Sequence, residues 1–103
     1  MSFEMEAAQE TLLRLLQRDE ITRELYVHIW GKHLIVGREE PWGPDGELAK
    51  DDRVRLTRLN ASTYGLSVRR HTGRWEKTPF FGSMEEMVEV MQSLMQHLVA
   101  SYA

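Results

Sequence analysis

The fold of this chain is decided by residues 25–36, which run LYVHIWGKHLIV. Apolar and other residues alternate on both sides of Gly31-Lys32, and a period of two is typical of β-strands. A Gly-X dipeptide between two such runs predicts a β-hairpin with a two-residue turn. In that register Val27 lies opposite Val36, and the residues on their side of the hairpin form one apolar face.

The other face of this hairpin is unusually apolar for a side exposed to water. It carries, in order, Tyr26, His28, Trp30, His33 and Ile35. Contiguous apolar surface in a soluble protein marks an interaction site. A metal ion shared by His28 and His33 is disfavoured, because no carboxylate accompanies them in the local pattern. We therefore treat this face as a candidate partner-binding surface.

A second block of strands is predicted over residues 53–78. Two runs there alternate apolar residues with arginine, serine or threonine, and a turn at 60–63 separates them. Thr72-Gly73 predicts another two-residue turn, which places Arg69 opposite Glu76. The parity of these strands puts Trp75 with the apolar residues. The opposite face then receives five basic residues: Arg53, Arg55, Arg69, His71 and Arg74.

Between the two blocks, residues 39–52 are predicted to form a long loop. Two of the three prolines lie here, and Pro44-Asp45-Gly46 is a turn sequence. The acidic residues of this segment lack the spacing of a calcium-binding loop, so we expect a solvated acidic loop. Trp42 is expected to anchor the loop to the body of the domain, in preference to standing exposed.

An amphipathic helix is predicted at each end of the chain. The first covers Ser2 to about Gln17, with Ser2 as a candidate cap. The second begins at the capping box formed by residues 83–86, Ser-Met-Glu-Glu. Its apolar stripe is predicted to continue unbroken through Met84, Met87, Val88, Met91, Leu94, Met95, Leu98 and Tyr102. For the methionines, core packing is favoured over a partner-binding groove, because the sheet needs a cover.

The order of elements is therefore helix, hairpin, loop, three-stranded meander and helix. Short links make the strands antiparallel, and two amphipathic helices can cover only one face of a sheet. The sequence predicts an α+β two-layer sandwich, with an antiparallel sheet of about five strands and both terminal helices on one face. At 103 residues, the whole chain, 1–103, is expected to be a single domain.

Charge is distributed unevenly along the chain. Thirteen Lys and Arg residues oppose 16 Asp and Glu residues, a net charge of −3. Residues 53–77 hold seven basic residues and one acidic residue, a local charge of +6, which leaves −9 for the rest. The net charge alone argues against a protein that binds polyanions. The positive charge of residues 53–77 nevertheless makes polyanion binding by the helix-free face a possible function.

Several classes of function are disfavoured by what the sequence lacks. The absence of cysteine rules out disulfide scaffolds, thiolate metal sites and cysteine chemistry. No nucleophile elbow, phosphate-binding loop or zinc motif occurs, so we expect no enzymatic activity, no cofactor and no metal. Neither a signal-peptide pattern nor a long apolar run is present, so we expect a cytoplasmic protein with no membrane partner.

These patterns predict a non-enzymatic interaction or adaptor domain that forms a homodimer, or binds a protein partner, through the helix-free face. Apolar burial supplies the affinity, and arginines supply orientation and partner choice. The predicted partner-binding residues are Tyr26, His28, Trp30, His33, Ile35, Arg53, Arg55, Arg69 and Arg74. The alternative is single-stranded nucleic-acid binding on the same face, with rings stacked on bases and guanidinium groups on phosphates. A face with no role beyond solvation is the remaining alternative.

Overall fold

Five antiparallel strands form one open sheet in chain order, with helices before and after it. The computed structural model describes residues 3–100. The elements are α1 (Phe3–Leu16), β1 (Tyr26–Trp30), β2 (His33–Trp42), β3 (Glu47–Arg58), β4 (Tyr64–Arg69), β5 (Trp75–Gly82), α2 (Met84–Ser93) and α3 (Gln96–Val99). The predictions for Ser2 as a helix cap and for Tyr102 on the helical stripe fall outside the described residues. None of the helices in residues 3–100 is long and apolar enough to cross a membrane.

The α+β fold predicted from the sequence is confirmed, and its core lies between the helices and one face of the sheet. Spacings of three and four residues give each helix one apolar stripe. The buried residues of α1 and α2 are Met5, Ala8, Leu12, Leu16, Met84, Met87, Val88 and Met91. They pack in one cluster with the inward-facing residues of the strands, so the methionine stripe serves the core. The predicted capping box of α2 is present, formed by Ser83 and Glu86.

The first hairpin has the register predicted for a two-residue turn. Val27 pairs with Val36, and Ile29 pairs with Leu34. Gly31 has a φ of 60°, in the left-handed region that a turn of this length requires. The alternation of residues along the sequence therefore assigns the side chains of β1 and of the first half of β2 to the correct faces of the sheet.

Residues 39–52 form a hairpin, so the loop prediction is wrong. β2 runs on to Trp42, and β3 begins opposite it at Glu47. The pairing of β2 with β1 stops at Gly37, so beyond this residue β2 has a free edge. Pro41 is tolerated there because no neighbouring strand needs the N–H group that proline lacks. The expected anchoring of Trp42 is also wrong, since this side chain is 64% exposed.

The turn between β4 and β5 is one residue longer than predicted. Arg69 pairs with Trp75 and not with Glu76. Gly73 adopts a φ of 87°, which closes a three-residue loop. The shift moves Trp75 to the helix-free side of the sheet, contrary to its predicted place among the apolar residues. Glu76 pairs instead with Arg70, at 3.0 Å.

The C-terminal helix is interrupted, which the unbroken apolar stripe did not predict. The N–H groups of Leu94 and Met95 both donate to the carbonyl oxygen of Val90, at 2.8 and 3.2 Å. Such sharing ends the regular hydrogen-bond ladder of α2 and lets the chain start α3 in a new direction. Leu94 is therefore exposed, while Val99 is fully buried.

Candidate functional site

A cavity opens on the helix-free face of the sheet, lined mainly by residues of β3, β4 and β5. One row of paired residues passes across this face from β1 to β5: Trp30, His33, Thr57, Gly65 and Phe81. At the two ends of the row, the rings of Trp30 and Phe81 stand out from the sheet and are 64% and 71% exposed. In the middle of the row, Thr57 and Gly65 have small side chains, so the surface of the sheet is lower there. The cavity, of about 470 Å³, lies at this low point.

The lining of this cavity, which we call the cationic groove, is basic. Its polar and charged residues are Lys32, His33, Arg55, Thr57, Ser67, Lys77 and Thr78. Lys32, Arg55 and Lys77 carry positive charges, and no acidic side chain of residues 3–100 lines the cavity. Positive charges that share a cleft with low-dielectric walls concentrate anions from solution. The groove can therefore bind a negatively charged group.

Arg55 lines the cationic groove and has no acidic partner among residues 3–100. It pairs with Ile35 and Ser67 in the sheet, and its guanidinium carbon is 4.9 Å from the centroid of the Trp75 ring. This cation–π contact holds the guanidinium group in place. The Nε atom is buried, and none of the described residues supplies it with a hydrogen-bond acceptor. An unpaired buried donor costs about 1–3 kcal/mol. Arg55 also lines the cavity, so its guanidinium group can meet an anion there.

His33 is held in its neutral form beside Arg55. Burial, followed by the positive charges of Arg55 and Lys32, lowers the pKa of His33 below its ordinary value of 6.5. Its Nδ1 atom lies 2.8 Å from the hydroxyl oxygen of Thr57. Because a bound anion favours the protonated ring, occupancy of the groove is expected to raise this pKa.

Beyond the groove, the side chains on this face of the sheet contact and pair with one another. Tyr26 stacks on His28, with 5.7 Å between ring centroids, and donates a hydrogen bond to Asp52. Burial and this hydrogen bond raise the pKa of Tyr26, so the hydroxyl stays protonated. Lys50 lies 5.5 Å over the Tyr26 ring, and Arg69 pairs with Asp52 at 3.4 Å. This cluster is therefore satisfied without a ligand.

Ile35 lies on the helix-free face, as predicted, but is only 4% exposed. Its cross-strand neighbours His28 and Arg55 flank it and shield it from solvent. Ile35 therefore offers a partner little surface. Of the apolar patch expected around Tyr26, Trp30 and Ile35, only Trp30 remains broadly accessible.

Arg53 lies on the face opposite to the predicted one. The register shifts between Val36 and Gly37, because β3 holds one extra residue there. A bulge of this kind breaks the alternation of side chains along a strand. The guanidinium group of Arg53 is buried and donates to the carbonyl oxygens of Leu98 and Ala100, at 3.0 and 2.9 Å. It therefore belongs to the helix side and does not line the groove.

Arg38 makes a second anchor of the same kind, which sequence reasoning missed. Its Nε donates to the carbonyl oxygen of Val99 at 3.0 Å. Glu40 is buried beside both arginines and lies 3.3 Å from Arg53. The two guanidinium groups together hold the C-terminal turn against the sheet. The sequence did contain one indication of the bulge that turns these arginines toward the helices: Gly37, since a glycine inside a strand often marks a bulge.

The remaining predicted residue, Arg74, is exposed in the turn before β5 and does not line the groove. Of the residues that line the cavity, sequence reasoning named only His33 and Arg55; the two lysines, Lys32 and Lys77, and the exposed ring of Phe81 are among those it missed. Lys77 pairs with Ser67 in the sheet, so the correct turn length after β4 places it on this face. Lys32 and Phe81 had no pattern that singled them out.

Comparison with known proteins identifies no relative. The chain matches no protein-family model, no curated protein and no solved structure.

Proposed function

We propose that this protein is a non-enzymatic interaction module whose helix-free face binds an extended, acidic segment of a partner protein. The observation that carries the proposal is Arg55, a partly buried cation that lines the cationic groove and forms no ion pair with an acidic side chain of residues 3–100. Lys32 and Lys77 add charge of the same sign on either side of it. An arginine binds a carboxylate through paired, charge-assisted hydrogen bonds, which suits aspartate or glutamate side chains.

An extended segment fits the shape of the face. The row from Trp30 to Phe81 passes over the groove, crosses five strands and measures about 19 Å at the usual spacing between strands. A segment of about six residues in extended conformation spans that length. The exposed rings of Trp30 and Phe81 then contact its ends, and the middle of the segment meets the positive charges.

The sequence predicted self-association through an apolar patch on this face, and the geometry gives that mode less support. Ile35 is covered and Tyr26 is bonded to Asp52, so little apolar area is left to bury. Two copies placed groove to groove would also bring like charges together, which disfavours association. A partner that presents acidic residues meets neither difficulty. The homodimer, the cytoplasmic location and the lack of enzymatic activity all stay predictions.

Titration of a fluorescently labelled peptide of alternating glutamate and valine tests the proposal. We expect binding at low salt that weakens as salt is added. The Arg55→Gln substitution is expected to lower the affinity by about tenfold to 150-fold, because a charge-assisted hydrogen bond contributes about 1.5–3 kcal/mol. The matched control is Arg14→Gln, on the exposed face of α1. Equal affinity of the wild type and the Arg55 variant would contradict the proposal.

Single-stranded nucleic-acid binding is the second candidate, and the two exposed rings favour it. Trp30 and Phe81 flank the positive groove, and a base stacked on such a ring contributes about 1–3 kcal/mol. An oligothymidylate probe separates the candidates. Nucleic-acid binding requires that this probe bind, that Trp30→Ala and Phe81→Ala each weaken it at least fivefold, and that the acidic peptide not compete.

A further inference from the structure

The cationic groove has an apolar end, which lies over Gly65. In the sheet, Gly65 pairs with Thr57 of β3 and with Phe81 of β5. A Cβ atom at position 65 would meet the side chain of Leu59 first, at 3.6 Å. Gly65, Leu59 and Phe81 all line the cavity, and the side chains of Leu59 and Phe81 are 57% and 71% exposed. We call the depression over Gly65, between Leu59 and Phe81, the apolar hollow.

The fold does not need a glycine at position 65. Gly65 has no positive φ, so its backbone conformation is open to other residues. An added Cβ atom would make ordinary van der Waals contact with Leu59, whereas at Gly37 it would overlap the carbonyl oxygen of Asp51. In the bulge beside Gly65, the extra residues belong to β5. A glycine that neither backbone conformation nor packing demands is typical of a place in a strand where a ligand approaches closely.

Positive charges flank the groove next to the apolar hollow. Arg55 and Lys77 belong to the neighbouring row of paired residues, about 7 Å from the row of Gly65 at the usual rise per residue. Lys32 lies on the other side, in the turn that leads into His33. Besides burial, the charges of Arg55 and Lys32 both lower the pKa of His33, so both cations act on the same stretch of the groove. The groove over His33 therefore has a positive charge on each side.

We infer that the cationic groove recognises two side chains of an extended partner segment: a large aliphatic side chain, such as leucine, in the apolar hollow, and a carboxylate between Arg55 and Lys32. This inference rests on the proposed function and names the chemistry of the partner segment. Residues i and i+2 of an extended segment point to the same side and lie about 7 Å apart. The hollow on β4 and the space between β3 and β2 are one and a half strands apart, also about 7 Å. The aliphatic and the acidic residue are therefore two positions apart.

Each of the two contacts contributes what the other lacks. The positive charges attract any acidic segment, so they supply long-range attraction with little discrimination. The hollow supplies discrimination, because an aliphatic side chain placed there covers the exposed Leu59 and Phe81 and removes apolar surface of both partners from water. A segment with only one of the two side chains leaves the other half of the site unused.

Two isomeric peptides with a fluorescent label test the inference. The first contains Glu-Thr-Leu-Thr-Glu and the second contains Thr-Glu-Leu-Glu-Thr, each between serines. Their composition and charge are equal, and each reads the same in either direction, so the direction of binding does not matter. Only the first places leucine and glutamate on the same side of an extended segment. We expect the first peptide to bind about tenfold more tightly in a low-salt anisotropy titration, because only this peptide buries its leucine while its glutamate meets the cations.

Variants of the apolar hollow locate the effect. Leu59→Ser removes one wall of the hollow and Gly65→Val fills it, and each is expected to weaken binding of the first peptide about fivefold. The loss is expected to be smaller for the second peptide, so the preference between the isomers falls. The matched control is Leu94→Ser, because Leu94 is 62% exposed in the helical layer. This control is expected to leave the affinities for both peptides unchanged.

Equal affinities of the two isomers overturn the inference, and so does an equal loss in Leu59→Ser and Leu94→Ser. Failure of the inference is distinguishable from failure of the proposed function. If both isomers bind equally and Arg55→Gln weakens both, the apolar hollow is not a subsite, and an acidic segment is still the partner. If neither isomer binds and the glutamate–valine peptide does not bind either, both proposals are lost.

Discussion

Arg53 and Arg55 are two residues apart in β3, yet one faces the helices and the other faces the groove. Arg53 is buried, pairs with the carboxylates of Asp51 and Glu40, and donates to two backbone carbonyl oxygens of the C-terminal segment. Arg55 has the Trp75 ring beside it and a buried Nε donor without an acceptor. The same side chain holds the fold together on one face and is left available for a ligand on the other.

The difference between the two arginines shows how to tell a structural charge from a binding charge. Arg53 is buried and Arg55 is partly buried, so both guanidinium groups lose contact with water, and the degree of burial alone does not say which one is structural. What separates them is the set of acceptors, because a buried charged group is normally satisfied within its own fold. An arginine with every acceptor in place is explained by the fold, whereas one with an unmatched donor indicates a missing partner.

The largest expected effect is on stability and concerns Arg53. Arg53→Met is expected to lower the free energy of unfolding by about 3–5 kcal/mol, because the buried Glu40 carboxylate loses the nearer of its two arginines and the carbonyl oxygens of Leu98 and Ala100 lose their donor. The matched change Arg55→Met is expected to alter it by less than about 1 kcal/mol, since only a cation–π contact is lost. Urea denaturation of both variants measures the difference. Equal losses would show that the two arginines do not have distinct roles.

A smaller effect tests the bulge that separates the two arginines. A Cβ atom at Gly37 would overlap the Tyr26 side chain and the carbonyl oxygen of Asp51, so Gly37→Ala is expected to lower the free energy of unfolding by about 1–3 kcal/mol. Gly65→Ala is the control, because its added methyl group meets only Leu59, at 3.6 Å. Thermal unfolding of both variants should rank Gly37→Ala as the more destabilised. The reverse order would mean that Tyr26 does not lie across Gly37.

The smallest expected effect is the pH dependence of His33. Its pKa in the folded state lies below 6.5, so at falling pH the unfolded chain takes up the proton first. The stability that depends on neutral His33 is complete above pH 6.5 and is lost as the pH falls from there through the folded pKa. Arg55→Gln is expected to raise that pKa toward 6.5, because one of the charges that lower it is gone.

NMR titration of the His33 ring protons in the wild type and in the Arg55→Gln variant measures this change. The control is the Arg14→Gln variant, because Arg14 lies on the exposed face of α1 and its loss should leave the pKa of His33 unchanged. An unchanged pKa of His33 would show that Arg55 does not act on this end of the groove.

The cationic groove was predictable in part. The positions of Trp30, His33 and Arg55 on the helix-free face were predictable from the alternation of side chains along their strands. Lys77 did not follow, because the turn before β5 has three residues where Thr72-Gly73 indicates two. Arg53 did not follow either, since a single extra residue in β3 reverses its face and only the pairing with β2 reveals it.

The sequence by itself determined the α+β class, the order of its elements and the hairpin of residues 25–36, because periodicity and turn chemistry are local properties of the chain. Only the tertiary structure decided which arginine faces the groove, that residues 39–50 project as a ribbon, and that the C-terminal helix breaks at Leu94. Each of these depends on how distant segments satisfy one another's hydrogen bonds and charges. The net charge of −3 accordingly says little about binding, because a basic groove and an acidic hairpin lie on different parts of the same molecule.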